Sequence, residues 1–150
     1  MKKVFITDYI NDSEIEQNVI GNEAKVICLN NKEEKNFPKE IEDADGLLVW
    51  HTKISETTIK KLVKCKSVIR YGVGSDNIDI KCLKNHNIPF ANTPDYGVDE
   101  VADTSSALIL NLIRKVNLYN HQTKTKLNEW QNEVMNIDKL NPIKRTSEHK

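Results

Sequence analysis

Apolar and polar positions fall in blocks along these 150 residues. Five blocks, at 3–7, 24–29, 45–50, 67–72 and 88–94, are near-continuous apolar runs rich in β-branched residues, and each predicts a strand. Between them lie stretches with helical spacing. Residues 12–20 carry Ser13 as a cap and Glu16 three positions on, a capping-box spacing, with Ile15, Val19 and Ile20 as the apolar stripe. Residues 37–43 form a short helix with Pro38 near its first turn. Residues 55–65 are capped by Ser55 and turn Ile59, Leu62 and Val63 inward, and residues 77–87 form a further short helix. Runs that do not alternate are the mark of strands buried on both faces, so the pattern predicts an α/β fold around a parallel sheet.

After Pro94 the pattern changes. Residues 98–116 read as one long helix, with Val101, Leu108, Leu112 and Val116 on a stripe and Ala102, Ile109 and Ile113 beside it. Ser105 sits on that stripe where a large residue is expected, which fits either tight helix packing or close approach of a ligand. Asp99 and Glu100 complement the helix start, and Arg114 and Lys115 its end. The remainder is polar, with sparse Leu118, Trp130, Val134, Met135, Ile137 and Leu140. It predicts a second helix and then an extended strip leading toward something outside this chain. The expected division is a domain over 1–97 and a connection over 98–150.

Composition narrows the function classes. Hydrophobic content is 38% and charged content 29%, with 22 basic and 22 acidic residues and a net charge of +0. The charges are scattered, which argues against nucleic acid or an anionic membrane as partner. Cys28, Cys65 and Cys82 are far apart, form no Cys-x-x-Cys pair and have no metal spacing with a histidine. Free thiols lead to the expectation of a cytoplasmic protein. The start, MKKVFITDYI, reads as a first strand rather than a signal peptide, and no run reaches membrane-spanning length.

The fourth strand runs into Gly72-Val73-Gly74. In open parallel sheets ligands sit beyond the carboxyl ends of the strands. Glycines there allow positive φ and close backbone approach, and successive N–H groups form an anion nest. A tight strand-to-helix turn explains the same pattern, and spacing does not separate the two. Asp76 and Asn77 are placed to cap the next helix. His51 ends the third strand without an evident carboxylate partner, so a pocket-lining or structural role is expected. His86, His121 and His149 are in polar surroundings. Asp8 ends the first strand, but no acidic pair accompanies it, so a phospho-receiver reading fails. Asp43 and Asp45 read as solvated.

The run RYGVGSDNIDI, followed by IPFANTPDYGVDEVADTSSALILNLIRKV, resembles the D-isomer-specific 2-hydroxyacid dehydrogenases. The likeness is to the branch of C-terminal-binding protein and the phosphoglycerate-dehydrogenase-like enzymes. DGLLVWHTKIS fits as well, and the likeness covers essentially the whole chain. It implies a flavodoxin-like five-stranded substrate-binding domain, partnered in the family by a Rossmann domain that binds NAD. It implies that the Val73 and Gly74 amides hold the carboxylate of a small 2-hydroxy or 2-oxo acid. Tyr71 and Gly72 would shape that loop, and Trp50 and His51 would line the cleft. Ser105 stands where many members carry a Thr at the nicotinamide end of the cofactor. Family members are homodimers.

There are departures. Val98 replaces a frequent capping Thr, leaving Gly97 as cap. The family's Gly-x-Gly-x-x-Gly motif and its catalytic Arg, Glu and His match no residue here, so no catalytic residue and no metal ligand is assigned. The expectation is the N-terminal portion of an NAD-dependent oxidoreductase, truncated and without turnover alone, with an exposed apolar patch on its long helix. The alternative is a non-catalytic ligand- or protein-binding module of the same fold.

Overall fold

The computed structural model describes residues 1–125. The chain divides into two compact units, Met1–Tyr96 and a second that begins at Gly97. The expected strip with Trp130, Val134, Met135, Ile137 and Leu140 lies outside the described residues.

In the first unit five strands form one parallel sheet: β1 (Lys2–Ile6), β2 (Ala24–Cys28), β3 (Gly46–Val49), β4 (Val68–Arg70) and β5 (Phe90–Asn92). Their order is β2-β1-β3-β4-β5. This is the flavodoxin-like arrangement, whose direction of winding reverses between β1 and β3. Phe5 pairs with Ile27 on one side and Leu47 on the other, and Leu47 in turn with Val68. Phe5, Leu47, Val49 and Val68 are all but fully buried, and Ile41, Ile54, Ile59, Leu62 and Leu83 cover them. The strands match the apolar runs to within two residues at either end, because burial on both faces demands an unbroken run.

The helices differ more from expectation. Helix α1 (Glu14–Ile20) buries no residue, and Ile15 and Val19 are 78% and 83% exposed. The capping box does not form: Ser13 makes no side-chain cap, and the Asp12 carboxylate accepts from the Glu14 amide instead. A polar side chain does the anchoring. Gln17 Nε2 donates to the Gly21 and Ala24 carbonyls at 2.7 and 3.0 Å, and its Oε1 accepts from the Val26 amide at 2.9 Å. α1 is thus tied to the edge of β2 by hydrogen bonds rather than by an apolar stripe.

Residues 39–43 form a 3₁₀ turn with Pro38 just before it. Helix α2 (Glu56–Ile59) is a single turn capped by Ser55, whose hydroxyl accepts from the Thr57 amide. Three consecutive β-branched residues, Thr57, Thr58 and Ile59, explain why the helix expected to reach residue 65 stops early. Ile59 and Leu62 are buried as expected, but Val63 is 78% exposed. Helix α3 (Ile80–Asn85) is capped by Asp79, which accepts from the Cys82 amide at 2.9 Å, and not by Asp76 or Asn77. Asp43 and Asp45 also have partners. Asp45 accepts from the Lys3 amide, and Asp43 pairs with Lys3 and Lys64.

The start of α2 is held from a distance. Glu34 accepts from the Ser55 amide at 2.9 Å, the Ser55 hydroxyl at 2.6 Å and the Thr58 hydroxyl at 2.7 Å. Burial pushes the Glu34 pKa up, but the Ser55 and Thr58 bonds and the Lys53 charge outweigh it, leaving the group below its ordinary 4.5. A folded-state pKa below the unfolded value contributes stability above the unfolded value that is lost as pH falls through the folded one. The melting temperature is therefore expected to fall as pH drops below 4.5. In Glu34→Gln, thermal scans across that range should show a shallower fall, and an unchanged slope would remove Glu34 from this account.

In the second unit, α4 (Val98–Arg114) follows Gly97 at the cap position, and α5 (Val116–Thr125) follows Lys115. Lys115 has φ 55°, a left-handed conformation that ends α4 two residues before the expected limit. Val101, Leu108, Leu112 and Val116 of the expected stripe are exposed. No helix among the described residues is long and apolar enough to cross a membrane.

Candidate functional site

The carboxyl ends of β1, β3 and β4 converge on one polar cluster. Asp8 follows β1 with φ 71°, a conformation that aspartate tolerates better than most residues. It is only 2% exposed. Its Oδ2 accepts from the Trp50 and Thr52 amides at 3.1 and 3.2 Å and from the Thr7 hydroxyl at 2.7 Å, and its Oδ1 accepts from the His51 amide at 2.9 Å. The Thr52 hydroxyl is buried nearby without a hydrogen bond of good geometry. Burial alone would raise the Asp8 pKa, but the Thr7 hydroxyl and the loop amides more than compensate, and it lies below its ordinary 3.8. Three successive amides around a carboxylate make an anion nest, here filled by the protein's own side chain. The crevice at the reversal point of the sheet, where this fold class usually takes its ligand, is occupied from within.

The glycine loop lies one strand further along. β4 ends at Arg70, whose Nε donates to the Trp50 carbonyl at 3.3 Å and whose Nη1 donates to the Gly74 carbonyl at 2.9 Å. Asn77 Nδ2 donates to the Trp50 and Thr52 carbonyls. Gly72 has φ 146°, which side chains rarely adopt, and a Cβ there would lie 2.8 Å from Arg70 Nη1. Gly74 is less constrained, with a Cβ position 3.1 Å from Asp76 Oδ1 and 3.2 Å from Arg70 Nη1.

The loop is polarised. Its three carbonyls are all taken: Gly72 by the Thr93 amide at 3.2 Å, Val73 by Asn92 Nδ2 at 2.6 Å and Gly74 by Arg70. Among the described residues, no group accepts from the amides of Val73, Gly74 or Ser75. Val73 is 56% exposed, so these N–H groups lie in an accessible turn with a guanidinium behind it.

Of the residues singled out in the sequence, Trp50, His51 and the stretch Tyr71–Gly74 are brought to neighbouring strand ends. The Trp50 and His51 rings are in contact, tilted 40° to each other with centroids 4.1 Å apart, and both are exposed. Among the described residues no carboxylate bonds the His51 ring. Tyr71 is committed elsewhere, since its hydroxyl donates to Glu16 Oε1 on α1 at 2.8 Å. Burial, with that bond and the Glu16 charge behind it, pushes the phenol pKa strongly upward. Ser105 is an exposed residue of α4, in the second unit. Among the described residues no group of three His, Cys, Asp or Glu could hold a metal ion.

The sequence reading gives Asp8 no role at this site, reads Asn77 only as a cap of the next helix, and assigns no role to Arg70 or Asn92, whereas all four bond to residues 50–52 or to the glycine turn. Arg70 did leave a signal, as a charge closing an apolar strand. Asp8 was legible only as the end of the first strand, because its amide partners are 42 to 44 residues away.

Comparison with known proteins agrees with the fold. Residues 4–140 match the family model of the D-isomer specific 2-hydroxyacid dehydrogenase catalytic domain. A D-3-phosphoglycerate dehydrogenase of Methanocaldococcus jannaschii is 33% identical over 131 residues, 87% of this chain but 24% of that protein. A 3-phosphoglycerate dehydrogenase of Entamoeba histolytica, solved with NAD⁺, superposes with TM-score 0.62 at 28% identity over 76% of this chain and 40% of the other. The D-lactate dehydrogenase of Aquifex aeolicus, solved with NAD and lactic acid, shares the fold with TM-score 0.69 at 23% identity, over 83% of this chain and 38% of its own. The chain thus spans from about a quarter to two fifths of the length of these three proteins. With its flavodoxin-like sheet and its glycine turn, this chain belongs to the D-isomer specific 2-hydroxyacid dehydrogenase family.

Proposed function

We infer that this chain holds the carboxylate of a small 2-hydroxy or 2-oxo acid at the Val73–Gly74 turn. It does so as the N-terminal part of an NAD-dependent oxidoreductase acting on the CH–OH group of that acid. The polarity of the loop carries the reading. With the carbonyls of residues 72, 73 and 74 bonded to protein donors, the turn offers a ligand its N–H groups. A carboxylate accepting two such bonds gains charge-assisted hydrogen bonds, and the Arg70 guanidinium behind the turn adds attraction. Trp50 and His51 stand at the next strand end as cleft walls, and Gly72 gives the turn its shape. Tyr71, bonded to Glu16, braces the loop from the side of α1.

NAD, when bound, supplies the hydride acceptor or donor. The five glycines, at 21, 46, 72, 74 and 97, make no Gly-x-Gly-x-x-Gly run, so these residues offer no strand–turn–helix cradle for a pyrophosphate. Ser105 is the one residue here proposed to face the cofactor, at its nicotinamide end. No residue is assigned to proton transfer.

Titration of the ¹⁵N-labelled full chain with oxamate, a 2-oxo acid analogue, tests the reading. The Val73, Gly74 and Ser75 amide signals should shift and saturate, with a dissociation constant in the millimolar range expected of a partial site. The neutral amide of the same acid should leave them in place. Signals that stay put with oxamate, or that respond equally to both compounds, would remove the carboxylate assignment.

A further inference from the structure

We propose that Asp8 is a positioning residue for the glycine turn, although it lies beyond the end of a different strand, β1. The inference builds on the carboxylate site above. The path is continuous and short. Asp8 fixes the amides of Trp50, His51 and Thr52. That orients the Trp50 carbonyl, which accepts from Arg70 Nε. The other end of the same planar guanidinium holds the Gly74 carbonyl, and because the peptide is planar this sets the direction of the Ser75 amide at the end of the turn. Asn77 joins the same two elements through the Trp50 and Thr52 carbonyls. A guanidinium is rigid and planar, so its two ends move together. A shift of the Trp50 carbonyl therefore reaches Gly74 through one side chain.

The chemistry of Asp8 suits this role. Both carboxylate oxygens are used, one for three donors and one for the His51 amide. An ionised carboxylate is acceptor-only, and the nest needs an acceptor at every position. Asparagine has nearly the same shape but must turn its NH₂ toward one set of donors, so Asp8→Asn breaks the nest while filling the same space.

The test compares the full chain with Asp8→Asn by amide hydrogen exchange and by oxamate titration. In the variant, exchange at Trp50, His51 and Thr52 should accelerate. The Gly72–Ser75 signals should move before any ligand is added, and oxamate should bind about tenfold more weakly. Ile41→Val, a core change in the 3₁₀ turn at 39–43, is the control for lost stability. It should lower the melting temperature yet leave the Gly72–Ser75 signals and oxamate affinity as in the parent.

If Asp8→Asn does not fold, Thr7→Val serves. It removes one donor from Oδ2 and should give a smaller displacement of the same signals. Unmoved Gly72–Ser75 signals in whichever variant folds would overturn the proposal, as would equal displacement by Ile41→Val. A parent chain that ignores oxamate would sink the carboxylate site alone. The ligand-free signals would still decide whether Asp8 positions the turn.

Discussion

Gly72→Ala is expected to lower stability by roughly 2 kcal/mol and to abolish oxamate binding at the glycine turn. The two losses share a cause. At φ 146° a Cβ is strained whatever space surrounds it, and here it would also sit 2.8 Å from Arg70 Nη1. The guanidinium is the far end of a flexible side chain and can withdraw, so the clash itself is cheap to relieve. Withdrawal, however, releases the Gly74 carbonyl, and the turn is then free to rotate its amides away. Backbone strain therefore sets the loss of stability, and movement of the guanidinium sets the loss of binding. Gly74→Ala separates them, because its backbone is not in the positive-φ region and its nearest neighbours are 3.1–3.2 Å from the new methyl group. That variant should remain close to parental stability while weakening binding. Urea denaturation and the oxamate titration, run on both variants, would refute this account if Gly74→Ala proved the less stable of the two.

Leu47→Ala should be the most destabilising single truncation described here, at roughly 3 kcal/mol. Leu47 is 0% exposed on the central strand, in register with Phe5 on β1 and Val68 on β4, both buried. Removal of the side chain loses its transfer free energy, about 2 kcal/mol. The remainder comes from a cavity that cannot collapse, since both neighbours are fixed by ladder hydrogen bonds. In a unit of this size such a loss lowers the melting temperature by about 15 °C. Val19→Ala is the contrast. It deletes apolar atoms from a helix face that is 83% exposed and should change stability by less than about 0.5 kcal/mol. Thermal scans of the two variants would contradict the packing described here if their midpoints fell by similar amounts.

That contrast marks where the sequence could and could not be read. Leu47 and Val19 both belong to clear apolar patterns, the first an unbroken run and the second a helical stripe. The strand pattern was reliable because a strand buried on two faces leaves no room for polar residues over several positions. The α1 pattern misled because a seven-residue helix can be held by one glutamine, and Gln17 bonds to β2 up to nine residues away. The glycine turn was legible as a motif, yet turn and nest stayed indistinguishable until the partners of its carbonyls were known. Those partners, Asn92, Arg70 and the Thr93 amide, come from two other points of the chain. Glu34 on Ser55 and Asp8 on residues 50–52 are likewise contacts across 21 and 42 to 44 positions. Periodicity reports which side of an element faces the core. It is silent on which distant polar group completes a given backbone site, and the candidate site is built mostly from such groups.

Gln17 has a consequence for the company this sheet can keep. β2 lies at the margin of the sheet, and a bare margin is a template onto which a strand from another molecule can add. The Val26 amide and the Ala24 carbonyl are already bonded to the Gln17 side chain. An incoming strand would have to displace an amide that mimics a strand's own donor and acceptor. One residue of α1 thus fills two of the bonding positions an added strand would use, and the exposed Lys25 between them puts a charge on the same margin.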